Sequence, residues 1–155
     1  MALAVILLGI LLMVPATHAQ TVPQAGEVEP ALRALLVDLD ARWNARDADS
    51  MSRLFMPEVD FRIWGARHHR SREEFRRHYA QAFPRVPPAV RHATSLGSVR
   101  VLAPGVVLLD GEVVVTDPGQ PDTERRFDYA AVALWRDGAW LFDAFRVAQQ
   151  KKPGS

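Results

Sequence analysis

The sequence predicts one α+β domain in which a curved antiparallel sheet wraps around three N-terminal helices. Three observations predict this class. Leucines recur at helical spacing over residues 32–39, and Trp43 continues that apolar stripe. One alternating strand pattern lies between the second and third helical patterns, and four long strand patterns fill the second half of the domain. Helices that precede an antiparallel sheet in this order pack on one of its faces.

The first helix is predicted to start near Pro30, because proline suits the first helical turn, and to end near Asn44. A break over residues 44–47 follows, and Asp47 or Asp49 can cap a short second helix. Pro57 stops this helix, and residues 59–64 then alternate as a half-buried strand.

Ser71 and Glu74 form a capping box that opens the third helix, and a run of prolines at 84, 87 and 88 ends it. The remaining sequence is predicted to form two hairpins. Their four strands cover residues 91–102, 106–116, 123–136 and 139–149.

The dipeptide Asp137-Gly138 predicts a two-residue turn, which fixes the register of the last hairpin. This register places Trp135 opposite Trp140 and Tyr129 opposite Arg146, all on one face. Both faces of the hairpin are largely apolar, whereas helices can cover only one. We therefore expect a homodimer formed through the other face, the alternative being a sheet with that face exposed.

The termini are expected to lie outside the domain. Residues 1–19 combine an apolar run with small residues before Gln20, which predicts a cleaved signal peptide and an exported, periplasmic or secreted protein. No Lys or Arg precedes the run, so an uncleaved anchor or a misassigned start stays open. Residues 20–28 are predicted to be a flexible lead-in, 29–149 the domain and 150–155 a disordered tail.

Composition narrows the function classes. The chain has no cysteine, which excludes disulfides, thiolate metal sites and a cysteine nucleophile. A net charge of +1 gives no case for binding nucleic acid, or a membrane once the signal is removed. Adjacent histidines on a strand point to opposite faces, so His68 and His69 do not predict a metal site. We expect no metal and no cofactor.

Several motifs resemble the nuclear transport factor 2-like superfamily. These are the segment from Trp43 to Asp49, Val59-Asp60-Phe61, and the closing turn before Trp140. Within it, residues 29–149 most resemble the small SnoaL-like and SgcJ/EcaC-type domains. The resemblance implies a ketosteroid-isomerase-like cone fold but not that enzyme's chemistry. The positions that match its catalytic groups are apolar here, at Leu39, Ile63 and Ala130.

A sheet curled around helices leaves a cone with an open mouth, where a ligand can bind. Aromatic residues are expected to line it, with Tyr129 and Arg146 holding a polar or anionic end of the ligand. The alternative is that the aromatic side chains only fill the core. The predicted ligand-binding residues are Trp43, Tyr79, Phe83, Tyr129, Trp140, Phe142 and Arg146.

These patterns leave three possible functions. The first is an exported protein that binds a small, largely apolar molecule with a polar or anionic end. The second is an enzyme on the same scaffold with proton-transfer, isomerase or lyase chemistry, using Asp60, His68, His92 or Asp143 as base. The third is a structural dimerisation domain with a closed cavity. A titratable group in the cavity within reach of Tyr129 or Arg146 favours the enzyme. A cavity with only aromatic and aliphatic side chains favours binding, and a filled cavity favours the structural domain.

Overall fold

The computed structural model describes residues 22–65 and 67–150, without the side chain of Pro121. The predicted signal segment 1–19 and most of the predicted tail lie outside the described residues. The elements follow in the order α1 (Ala25–Asn44), α2 (Ala48–Ser52), β1 (Phe55–Ile63), β2 (His68–His69), α3 (Arg72–Ala82), β3 (Arg91–Ala103), β4 (Val106–Thr116), β5 (Arg125–Arg136) and β6 (Ala139–Gln149). Short 3-10 turns occupy Phe83–Arg85 and Pro121–Thr123. Within the described residues, no helix combines the length and hydropathy needed to cross a membrane.

Helix α1 begins at Ala25, inside the stretch predicted to be a flexible lead-in. The Glu27 carboxylate accepts a hydrogen bond from the Gln24 backbone N–H at 2.9 Å, which caps the helix. Val28 is buried and anchors this first turn to the core. Pro30 therefore lies in the second turn of the helix, whereas the sequence predicted it in the first.

The six strands form one curved sheet in the order β2-β1-β6-β5-β4-β3, with the helices on its concave face. The predicted α+β cone is thus confirmed. All neighbouring strands are antiparallel except β1 and β6, which run parallel, so the sheet is mixed. The segment between β1 and β6 includes α3, the β3–β4 hairpin and β5, and no local pattern in the sequence specifies how these distant strands pair.

The predicted leucine face of α1 is buried against the sheet, with Leu32 fully inaccessible to solvent. Phenylalanines fill the part of the cone beneath α3. Phe55 is central to this group, with ring centroids 4.3 Å from Phe75 and 5.2 Å from Phe142. These contacts give the domain a continuous apolar core next to an open part of the cone.

The last hairpin follows the predicted register only near its turn. Asp137 and Gly138 have positive φ angles of 52° and 79°, as a two-residue turn of this kind requires. Trp135 pairs with Trp140, but a β-bulge at Asp143 shifts the register beyond Phe142. A bulge inserts one residue and so exchanges the faces of all residues that follow it in the strand.

Candidate functional site

A cavity of about 220 Å³ lies between α1, α3 and the concave face of the sheet. Its walls are mostly aliphatic and aromatic, and include Leu39, Ile63, Phe127 and Phe145. The side chains that bring polar atoms to this wall are Trp43, His78, Tyr79 and His92. The cavity is therefore neither closed nor purely apolar.

His92 is held by a carboxylate from the opposite side of the cone. Its Nδ1 lies 2.7 Å from Oδ1 of Asp40, and Thr94 donates two further hydrogen bonds to the same carboxylate at 2.7 Å. A carboxylate that receives these bonds acts as an acceptor, so Nδ1 of a neutral His92 carries the proton. The unprotonated nitrogen is then Nε2, which has no hydrogen-bond partner among the described residues.

The position of the His92 ring is also fixed by its neighbours. The Asn44 side chain donates to the His92 carbonyl and accepts from its backbone N–H, both at 2.9 Å. The imidazole stacks on the Trp43 indole with centroids 4.9 Å apart. The guanidinium of Arg46 lies 4.4 Å from the centroid of the same indole. These contacts prevent the imidazole from turning away from the cavity.

Helix α3 contributes a phenol and an imidazole to the cavity wall. Burial raises the pKa of Tyr79 far above its ordinary value, so the phenol stays protonated and can donate a hydrogen bond. Burial also lowers the pKa of His78 and of His69, whose ring lies 4.8 Å from that of His78. Both imidazoles are therefore neutral at pH 7. The Nε2 of His69 is buried without a partner among the described residues.

A second aspartate–histidine pair lies on the convex face of the sheet. Nε2 of His68 is 2.5 Å from Oδ1 of Asp60, and Arg62 donates to Nδ1 of His68 at 3.2 Å. Arg146 bonds the other oxygen of Asp60 and donates to its carbonyl at 2.5 Å. Burial opposes ionisation of Asp60, but the bonds from Arg146 and His68 outweigh it and lower its pKa. Both histidine nitrogens are occupied here.

The prediction that Tyr129 and Arg146 share a face is wrong, because the bulge at Asp143 moves Arg146 to the convex face. Arg146 pairs with Ala130, and Tyr129 pairs with Val147. Tyr129 is buried on the concave side, where its hydroxyl donates to the Ser95 carbonyl at 3.1 Å. The predicted anion site made by these two side chains therefore does not exist.

The other predicted site residues divide between the cavity and the core. Trp43, Tyr79 and His92 line the cavity. Phe83 packs behind them, 5.7 Å from Trp43 and 5.2 Å from Tyr79 between ring centroids. The remaining three, which do not line the cavity, are the buried Trp140 and Phe142 and the bulge residue Asp143.

Asp40 is a site residue absent from the predicted set, although the sequence contains a signal for it. It follows Leu36 by four residues and precedes Trp43 by three, so it lies on the apolar face of α1. A carboxylate on a helix face that packs into the core needs a buried partner. His92 and Thr94 on β3 are those partners.

A wider groove of about 690 Å³ opens at the rim of the cone. It is bordered by Pro87 and Val90 after α3, the loop between β4 and β5, and the end of β6. Val115 lines both the groove and the cavity. The groove therefore adjoins the cavity at Val115, at the mouth of the cone.

The sequence profile of the SnoaL-like domain matches residues 37–142, which include α1 from Val37, the dyad of Asp40 and His92, and most of the sheet. The chain belongs to the SnoaL-like domain family. Among curated proteins, none matches this sequence.

Solved structures share the fold of this SnoaL-like domain. A domain of unknown function with a cystatin-like fold from Nostoc punctiforme is 20% identical, with a TM-score of 0.73 over 84% of this chain and 82% of that one. A proposed scytalone dehydratase from Novosphingobium aromaticivorans is 11% identical, with a TM-score of 0.71 over 81% and 87%. A ketosteroid isomerase-like protein from Erwinia carotovora is also 11% identical, with a TM-score of 0.64 over 79% and 96%. At these identities the likeness shows the fold alone.

Proposed function

We propose that the cone cavity binds a small, largely apolar molecule and that His92 takes up a proton from it, in an isomerase- or lyase-type reaction. The observation that carries this proposal is the imidazole of His92, which lines the cavity while Asp40 occupies its Nδ1. An imidazole oriented in this way by a carboxylate is suited to general base catalysis through Nε2.

The walls and the volume of the cavity support the proposed ligand class. Ligand pockets for drug-sized molecules usually have volumes of about 300–1,000 Å³. A cavity of about 220 Å³ with mostly hydrocarbon walls suits a compact molecule below the size of most drugs. The polar group of that molecule would meet His92, Tyr79 or His78, the residues with polar atoms in the wall.

Tyr79 is placed in the cavity wall to stabilise the negative charge that such a proton transfer creates on the ligand. When a base removes a proton from a carbon next to a carbonyl group, negative charge develops on the carbonyl oxygen. A phenol that stays protonated can donate a hydrogen bond to that oxygen. Proton transfer is consistent with the isomerase and dehydratase names of two proteins with the same fold.

Binding in the cavity can be tested with the neutral fluorescent probe N-phenyl-1-naphthylamine. Val115 lines the cavity, whereas the next residue, Val114, is on the convex face. Val115→Phe should weaken binding about fivefold or more, since overfilling a packed site costs about 1–3 kcal/mol. Val114→Phe is the matched control and should bind like the wild type. Equal affinities for both variants would contradict binding in the cone.

Proton transfer can be tested with 5-nitrobenzisoxazole, a small aromatic carbon acid. Nε2 of His92 would remove the ring C–H proton while the ring N–O bond breaks. The single product is a coloured nitrophenolate that carries the new nitrile group. His92→Gln should lower the rate by about a hundredfold or more, the usual contribution of a general base. His68→Gln removes a carboxylate-held histidine from the convex face and should leave the rate unchanged. A similar loss in both variants would refute the proposed base.

We also propose that a second copy of the chain covers the convex face. No described helix lies on that face, and its centre is formed by half-buried aliphatic side chains. These are Val106, Leu108, Val132, Leu134 and Leu141. Sedimentation velocity of the protein without its predicted signal segment should show a dimer that Val132→Asp dissociates, and a monomeric wild type at micromolar concentration would contradict it.

A further inference from the structure

We propose that Arg125 at the mouth of the cone binds an anionic end of the ligand. The ligand would then be an amphipathic molecule with an apolar ring in the cavity and a carboxylate or similar oxyanion in the groove. This inference rests on the proposed function, because it names the class of molecule that the cavity takes. It also replaces the predicted anion site at Arg146, which the fold places on the other face of the sheet.

Arg125 lies on the concave face, in the same row of side chains as the cavity wall. Residues of β5 alternate between faces, so Tyr129, Phe127 and Arg125 share one side. Arg125 pairs with Val115, the residue that lines both the cavity and the groove. It stands two residues beyond Phe127, a distance of about 7 Å along the strand. A ligand that extends out of the cavity along β5 therefore reaches Arg125.

The guanidinium of Arg125 is available for a ligand. The side chain is exposed, lines the groove, and forms no ion pair with the residues that the structure describes. Its neighbour Arg126 also borders the groove. Arg126 is already paired with Glu112 at 2.7 Å and with Glu124 at 2.8 Å.

Carboxylates also line the groove, and they limit the number of anionic groups that a bound ligand can carry there. Glu124 is paired with Arg126, and Oδ1 of Asp117 accepts a hydrogen bond from the Gly119 N–H at 3.0 Å. Asp122 is exposed in the loop. One unpaired arginine among these acidic side chains, counted over the residues described, suits one anionic group and disfavours ligands with several negative charges.

Two fluorescent probes test this inference, because they share one ring system and differ by one anionic group. They are N-phenyl-1-naphthylamine and its sulfonate, 8-anilinonaphthalene-1-sulfonate. Arg125→Gln should raise the Kd of the sulfonate about fivefold to tenfold, as expected for loss of a charged hydrogen bond at an exposed site, and leave that of the neutral probe unchanged. Arg125→Lys should restore part of the affinity.

The matched control is Arg100→Gln, which removes the same charge from an exposed position that borders neither the groove nor the cavity. It should change the Kd of the sulfonate less than twofold. The inference would be overturned if both variants raise the Kd of the sulfonate equally, or if Arg125→Gln leaves it unchanged. The proposed function would still hold in either case, provided that Val115→Phe weakens binding of the neutral probe. If Val115→Phe affects neither probe, the proposed function itself fails, and the inference fails with it.

Discussion

The fold contains two aspartate–histidine pairs on opposite faces of one sheet, and they differ in the atom that remains free. In the concave pair, Asp40 holds Nδ1 of His92, and Nε2 is left for the cavity. In the convex pair, Asp60 holds Nε2 of His68, and Arg62 occupies the other nitrogen. The concave pair is also the more buried, with 12% and 18% of the histidine and aspartate side chains exposed against 25% and 43%.

This difference shows that the residue types alone do not identify a catalytic base. Both histidines and Asp60 are reasonable candidates from the sequence. Only the concave pair combines an unoccupied nitrogen with a cavity, whereas the hydrogen bonds of the convex pair are all used to join β1, β2 and β6. We therefore assign the proposed proton transfer to His92 and a structural role to His68.

The largest expected effect distinguishes the carboxylate of Asp40 from that of Asp60. Asp40→Asn should lower the rate with 5-nitrobenzisoxazole about tenfold to a hundredfold, because an amide neither fixes the Nδ1–H tautomer nor stabilises the imidazolium that forms. Asp60→Asn should change the rate less than twofold. A larger loss from Asp60→Asn than from Asp40→Asn would reverse the assignment of the two pairs.

A second prediction concerns Arg46, which holds the Trp43 side chain that packs against His92. Arg46 donates hydrogen bonds to the carbonyls of Trp43, Pro87 and Val90 and lies over the Trp43 ring that His92 stacks on. Arg46→Ala should lower the free energy of unfolding by about 2–3 kcal/mol, measured by urea denaturation.

Arg46→Gly is the control for backbone strain, because Arg46 has a φ of 59°. Glycine adopts this conformation without a steric penalty, so this variant should be about 1 kcal/mol more stable than Arg46→Ala. An Arg46→Gly variant as stable as the wild type would show that side-chain contacts do not explain the effect of Arg46.

A third prediction uses the histidines that have no carboxylate partner among the described residues. Burial lowers the pKa of His69 despite the opposing charge of Glu74, and burial also lowers that of His78. The unfolded chain therefore binds more protons than the folded one below the ordinary histidine pKa of about 6.5. Their contribution to stability is complete above that pH and is lost as the pH falls below it.

His69→Phe keeps a ring beside Phe61 but removes one of these titrating groups. Urea denaturation at about pH 7.5 and about pH 5.5 should show a smaller loss of stability on acidification for this variant than for the wild type. If the loss of stability between the two pH values is the same in the variant and in the wild type, burial of His69 does not contribute to the pH dependence of stability.

The smallest expected effect is on the convex side. Arg146→Ala removes partly exposed bonds to Asp60 and should cost about 1 kcal/mol or less. Binding of 8-anilinonaphthalene-1-sulfonate should not change, because Arg146 lines neither the cavity nor its mouth. Weaker binding of this probe would return Arg146 to the ligand site.

Much of the fold could be predicted because local patterns specify it. The leucine stripe of α1 and the turn at Asp137-Gly138 form as expected. The predicted capping box forms only in part, because Ser71 Oγ accepts from the Glu74 N–H while the Glu74 carboxylate accepts from the N–H of Arg70 and not of Ser71. The parallel contact of β1 with β6 could not be predicted in this way, since it joins segments separated by most of the domain.

The site was harder to predict than the fold, because one inserted residue determines which side chains meet. The bulge at Asp143 has no signature in composition, and yet it moves Phe145 into the core and Arg146 out of it. Asp40, in contrast, was recognisable as a charge on an apolar helix face. A buried charge on a predicted core face is therefore a better guide to such a site than the pairing of distant strand residues.

The most direct test is a measurement of the imidazole tautomers by long-range ¹H–¹⁵N correlation NMR at alkaline pH. The structure predicts opposite results for the two pairs. His92 should carry its proton on Nδ1, and addition of N-phenyl-1-naphthylamine should shift the resonance of its bare Nε2. His68 should carry its proton on Nε2 and show no response to the probe. A proton on Nε2 of His92, or an equal response from both histidines, would contradict the assignment of the cavity base.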